Sequence, residues 1–296
     1  MKISQKQLAL AMLAALSSSS ALALVGGSVD ANTSFSDWAG VGSINIGENY
    51  YSGVMLDSTH VLTAAHVVAG QVGSASNVSF SLNADSLSQT LTASSISLYS
   101  GYTGTTPGLD GVWHDDLAVI TLSSAITGVS GYGLYSGSMS DQTITMVGYG
   151  GTGSTVKTVG ENVVDLVLKD DDGARNNTNW EVFVFDFDGP DASSNYFGTD
   201  QSGNLTLGAD IEAQYTGGDS GSPVFIKVDG VWQIAGIGTF SSGQSYGDVG
   251  GGTIVKSYIP WINEQMAVPV PEPSSWAMML VGMGLVGAAV RSRARG

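Results

Sequence analysis

The chain holds three histidines, His60, His66 and His114, so a mechanism that needs an imidazole base must draw on one of them. It holds no cysteine, which excludes a thiol nucleophile, a thiolate zinc site and any disulfide. His66 ends the run Leu62-Thr63-Ala64-Ala65-His66, where a β-prone stretch meets two small residues and leaves the ring free to face a cleft. His60 opens the same run and reads as a surface or structural histidine, and His114 precedes a pair of acids and reads as a rim residue. In His114-Asp115-Asp116-Leu117-Ala118-Val119-Ile120 a carboxylate stands just before an apolar strand. Half-buried there, Asp116 can hold an imidazole N–H and fix its tautomer; a strand-end acid in water has the same sequence. Glycines surround Ser220 in Gly217-Gly218-Asp219-Ser220-Gly221-Ser222-Pro223. They allow a tight turn that exposes the hydroxyl and lets the N–H groups of Gly218 and Ser220 converge on an oxyanion. One such donor is worth about 10²–10³ in rate, although an ordinary turn in a glycine-rich chain looks similar. Ser222 occupies the last position, so this is not the G-x-S-x-G elbow.

Positioning these groups falls to short β-prone runs broken by turn residues. They are Val41–Ile46, Tyr51–Leu56, His60–Thr63, Asn77–Leu82, Leu117–Leu122, Thr143–Val147, Val163–Leu168, Glu181–Phe187, Val224–Val228, Trp232–Ile237 and Gly252–Val255. That spacing predicts an all-β sandwich or barrel. Helical periodicity is confined to a short stretch at Ser257–Gln265, and there is no internal repeat.

Taken together the motifs resemble the trypsin/chymotrypsin family. Thr63-Ala64-Ala65-His66 is similar to its histidine motif, Asp116-Leu117-Ala118-Val119 to its aspartate motif, and Gly218-Asp219-Ser220-Gly221-Ser222-Pro223 to its serine motif, in the family's order. Gly148-Tyr149-Gly150 resembles its Gly-Trp-Gly strand end, and Tyr258-Ile259-Pro260-Trp261-Ile262 its C-terminal helix. The resemblance implies two packed antiparallel β-barrels with a short C-terminal helix and the site in the crevice between the barrels. It implies a serine endopeptidase with His66, Asp116 and Ser220 as catalytic triad and Gly218 and Ser220 as oxyanion hole. Leu24-Val25-Gly26-Gly27, 42 residues before His66, resembles the family's mature N-terminus, whose freed amine pairs with the acid beside the serine, here Asp219. The family's pocket floor, six residues before the serine, falls on Gln214, with Thr239, Ser241 and Gly250 as pocket residues. A small gap brings in Glu212 or Asp210, and Asp248 lies near the wall. With Gln214 at the floor, an uncharged residue is expected at the cleavage site.

Both ends read as addresses. Residues 1–23 carry Lys2 and Lys6, the apolar run Leu8 to Leu16 and Ala21-Leu22-Ala23, the pattern of a secretory signal peptide. Residues 268–296 carry Pro271-Glu272-Pro273, an apolar stretch from Trp276 to Val290, and Arg291, Arg293 and Arg295. This resembles the PEP-CTERM sorting signal of Gram-negative bacteria. The resemblance implies export, a cell-envelope or extracellular location, an exosortase-type partner and transient membrane contact through the tail. The body, 24–267, has 5 basic residues against 25 acids, a charge of about −20 that repels phosphate backbones and excludes nucleic acid as a partner. The acidic stretch opened by Asp170-Asp171-Asp172-Gly173 reads as a solvated hairpin; hard cations favour such carboxylates, so structural calcium is the sharper reading, and no cofactor is required. Substrates are expected to be proteins or peptides. The alternatives are an inactive protease fold serving as a binding module and a structural protein of the envelope or biofilm matrix.

Overall fold

A computed structural model describes residues 23–104, 114–150, 156–169, 180–191, 194–198, 205–208 and 210–267. All of the expected signal peptide but Ala23, the run from Asp170 to Gly173 and the sorting motif therefore lie outside the described residues.

Two short strands, β1 (Leu24–Val25) and β2 (Ser28–Val29), precede the first barrel. That barrel is built from β3 (Val41–Ile46), β4 (Asn49–Met55), β5 (His60–Thr63), β6 (Val78–Leu82), β7 (Gln89–Leu98) and β8 (Ala118–Leu122). Its strands close in the order β3-β4-β5-β8-β7-β6, antiparallel throughout. β6 shows why: Val78, Phe80 and Leu82 are buried while Ser79 and Ser81 between them are not, the period of two that a half-buried strand imposes. A one-turn helix, α1 (Ala65–Val68), follows β5.

The second half carries β9 (Gly133–Leu134), β10 (Thr143–Gly148), β11 (Thr158–Val163), β12 (Leu166–Lys169), β13 (Trp180–Asp186), β14 (Gln214–Tyr215), β15 (Pro223–Val228), β16 (Val231–Ser241) and β17 (Val249–Ile254). Its main ladder runs β12-β13-β17-β16-β15-β10-β11-β2, with β9 joining β16 in parallel and β1 pairing β14 separately. The end strands of this ladder are not paired with each other among the described residues, so the first barrel is closed by hydrogen bonds and the second is not. Its core gathers Leu24, Ile144, Met146, Phe183, Phe185, Val224 and Ile254.

The halves meet through aromatic packing. Trp38 lies 5.1 Å from Phe225 and 4.8 Å from Trp232. The buried Lys157 donates to the Trp38 carbonyl at 2.7 Å and pairs with Asp30 at 3.4 Å; burial lowers its pKa and Asp30 opposes that. The described residues end in α2 (Ile259–Ala267), which buries Ile262 in the first barrel's core and sets Trp261 5.4 Å from Tyr99. This is the all-β double barrel with a short C-terminal helix that the motifs imply. Among the described residues no helix is long and apolar enough to cross a membrane.

Candidate active site

The antiparallel pairing of β5 with β8 sets Thr63 opposite Ala118. Residues just after Thr63 therefore lie beside residues just before Ala118, which brings His66 on α1 to Asp116. Asp116 Oδ1 accepts the backbone N–H of His66 at 2.8 Å, and Oδ2 accepts Nδ1–H at 2.6 Å. The carboxylate is fully buried and the imidazole 18 % exposed, so one face of the ring is held and the other opens outward. A short charge-assisted bond of this kind favours the tautomer with the proton on Nδ1 and the lone pair on Nε2.

Asp116's neighbours leave in other directions. Asp115 adopts φ +57° and accepts the Tyr258 hydroxyl at 2.8 Å, just before α2. Burial, with Asp115 and Glu181 nearby, pushes the Tyr258 hydroxyl well above its usual pKa. His114 is buried and its Nδ1 lies 3.2 Å from Glu181 on β13, so it is not the rim residue its sequence position suggests. His60 is also buried and bonded to Asp57, a structural role. Tyr258 and Glu181 are site-supporting residues that the motifs alone do not reveal.

The serine turn is pressed against the same region. Ser220 O accepts the Ser52 N–H at 3.0 Å, and a Cβ at Gly221 would run into Ser52 O and Thr63 Oγ1. Gly221 at φ +85° and Gly218 at φ +94° occupy a left-handed conformation that a side chain would oppose. Thr63 lies three residues before His66, so the turn reaches the first barrel at the strand that presents the imidazole. The N–H groups of Gly218 and Ser220 bond no other group among the described residues. Asp219 points inward instead, accepting the Gly150 N–H at 3.1 Å and the Thr216 N–H at 2.8 Å. Burial with no cation beside it raises its pKa well above the usual carboxylate range.

In the continuous chain Leu24 does not bond Asp219. Its N–H donates to Thr158 Oγ1 at 2.9 Å, while the carbonyl of Ala23 accepts Thr216 Oγ1 at 2.6 Å.

A cleft of about 250 Å³ adjoins Ser220, bounded by residues 215–220 and 238–244. That is below the usual size of a small-molecule pocket and suits one side chain. Thr239 and Ser241 line it; Gln214 and Gly250 do not. Gln214 is fully buried, its Oε1 accepting the Tyr215 N–H at 2.8 Å and its Nε2 donating to Asp248 O at 3.1 Å, so its amide packs away from the cleft. Counting back six residues from Ser220 thus passes by one the residue that borders the cleft, Tyr215. No group of three His, Asp or Glu side chains among the described residues is placed to hold a metal ion.

Comparison with known proteins gives two matches: the Trypsin family model over residues 24–262, and the PEP-CTERM protein-sorting motif over residues 269–294. No curated protein matches the chain.

Proposed function

The chain belongs to the trypsin family, and on that premise we propose that it is a secreted serine endopeptidase with Ser220 as nucleophile, His66 as general base and acid, and Asp116 as the group that orients His66. The observation that carries this reading is the two-point hold of Asp116 on His66 beside the serine turn. Ser220 Oγ attacks a peptide carbonyl as His66 Nε2 takes its proton. The oxygen that becomes negative is received by the N–H groups of Gly218 and Ser220. His66 then gives the proton to the leaving amine, and water repeats the sequence on the acyl-enzyme.

Residues 1–23 act in this reading as the signal peptide, 24–267 as the protease domain and 268–296 as the sorting tail, recognised by an exosortase-type enzyme while its apolar stretch sits in the inner membrane. Removal of the signal after Ala23 frees the Leu24 amine. That amine replaces a peptide bond whose carbonyl is already bonded to Thr216, next to the cation-free carboxylate of Asp219. Pairing with Asp219 then holds Gly218 in its oxyanion-binding conformation.

A fluorophosphonate probe tests the reading. It should label the wild-type chain at Ser220, and Ser220→Ala should neither label nor hydrolyse peptides. A folded wild-type chain that does not label would point to a binding module.

A further inference from the structure

Resting on the peptidase reading, we propose that Tyr215 closes the base of the cleft beside Ser220 and makes it select a short, uncharged side chain on the residue whose carbonyl is attacked. With that carbonyl oxygen toward Gly218 and Ser220, the side chain of the same residue enters the adjoining recess between residues 215–217 and 238–244. What fills the base of this recess decides what fits.

Tyr215 borders the cleft yet is only 3 % exposed. Its ring lies over the α-carbon of Gly238 on β16, where a Cβ would come within 2.5 Å of Cζ and 2.6 Å of the hydroxyl oxygen. Only glycine at 238 leaves that room. Phe185 packs on the ring at 5.5 Å and 60°. The hydroxyl has no hydrogen-bond partner among the described residues, so packing, not polar bonding, holds the ring in place. Burial, with Asp219 nearby, keeps that hydroxyl protonated.

The walls offer neutral groups and no free charge. Among the described residues Asp219 is the only charged one bordering the cleft, and both its oxygens already accept backbone N–H groups behind the serine turn. Asp248, next to the wall, accepts the Ser245 N–H at 2.7 Å. Of the wall hydroxyls, Ser241 Oγ donates to Gly243 O and Ser242 Oγ accepts the Val249 N–H, while the buried Thr239 Oγ1 has no partner among the described residues and offers a neutral hydrogen bond only. A lysine or glutamate side chain would lose its hydration here with only neutral hydroxyls, and no free opposite charge, to replace it. A large aromatic one would meet the Tyr215 ring.

The test uses the full chain as secreted and a peptide series that differs only at the residue before the cut, Ala, Val, Phe, Lys or Glu. Ala and Val should give the highest kcat/KM, with Phe lower by about 10-fold or more and Lys and Glu by about 100-fold. Tyr215→Ala should raise Phe relative to Ala by about 10-fold or more. Tyr215→Phe, which keeps the ring and drops the unpaired hydroxyl, should keep the wild-type order. A wild-type chain that labels with fluorophosphonate and cleaves after Phe or Lys as fast as after Ala overturns the Tyr215 proposal alone. So does a labelled Tyr215→Ala chain with the wild-type order. Should Tyr215→Ala fail to fold, the wild-type series and Tyr215→Phe still decide. A wild-type chain that neither labels nor cleaves any of the five refutes the peptidase reading, and this inference with it.

Discussion

The two halves of the candidate site differ in how far they are finished. In the first barrel, Asp116 meets His66 through one strand pair, and both carboxylate oxygens already accept donors from that residue. In the second half, Asp219 is buried with only neutral donors around it, and the segment that approaches it, Ala23–Leu24, comes from the far end of the described chain. A local ladder builds the imidazole side. On the proposed reading, the nucleophile side depends on the amine freed at Leu24. The halves should therefore respond differently to substitution, processing and pH.

The largest effect would show whether they act as one device. Ser220→Ala and His66→Ala should each lower kcat on the order of 10⁶, and the double variant should be little worse than either. Multiplying losses in a kinetic comparison of the three variants would mean that the halves work independently. Asp116→Asn probes the finished half alone: it should fold and lose on the order of 10⁴ in kcat, because an amide no longer selects the tautomer with the proton on Nδ1. A kcat within tenfold of wild type would remove Asp116 from the mechanism.

Much of the first half was legible in the sequence. Val41–Ile46 and His60–Thr63 match β3 and β5 residue for residue; Gly40 and Gly47 bound the first, and Ser58-Thr59 and the small pair Ala64-Ala65 the second. β7, Gln89–Leu98, carries no clear strand signal in the sequence: its apolar residues Leu91 and Ala93 change phase to Ile96 and Leu98 across the bulge at Ala93/Ser95, and Ser and Thr fill most of the rest. At the C-terminus the expected helix over Ser257–Gln265 is a 3-10 turn at Val255–Tyr258 followed by α2. The second half was harder to read. Which of the adjacent residues Gln214 and Tyr215 borders the cleft depends on which way β14 faces. Nothing local to Leu24 announces that it pairs with Tyr215, and the buried bonds of His114 and Asp115 join segments far apart in sequence.

Processing gives the next effect in size. A chain that starts with Met before Leu24 cannot place an ammonium at Asp219, so it should keep its circular dichroism spectrum and lose about 10²–10³ in rate, the worth of one oxyanion donor. In the processed chain, the amine's pKa should rise above its reference of about 7.7–8.0 on pairing. The pair's stabilisation is then complete below that reference and fades as pH climbs through the raised value. N-terminal sequencing of active secreted protein should begin at Leu24. Full activity from the Met-extended form would mean that the second half needs no free amine.

The smallest effect is a pH dependence belonging to the second half. Burial first, then the neighbouring Asp186 carboxylate, pushes Asp165 up to about 8, and Glu212 adds to the repulsion. Glu212 and Asp188 are themselves raised, chiefly by burial. Asp186 accepts the N–H groups of Tyr196 and Phe197, so this carboxylate group anchors the segment that follows β13. An acid whose pKa is raised on folding keeps a proton that the unfolded chain releases. Its stabilisation is complete below the unfolded value of about 3.9 and declines as pH rises toward 8. Asp165 is partly solvated, so the effect is screened. Calorimetry should show a Tm about 2–4 °C lower at pH 8 than at pH 5, the shift expected for ~1 kcal/mol in a domain of this length. Asp165→Asn removes the titrating group and should shrink that difference, while the Glu212 and Asp188 contributions persist. A wild-type Tm that climbs from pH 5 to 8, or an unchanged slope in Asp165→Asn, would place the pH sensitivity elsewhere.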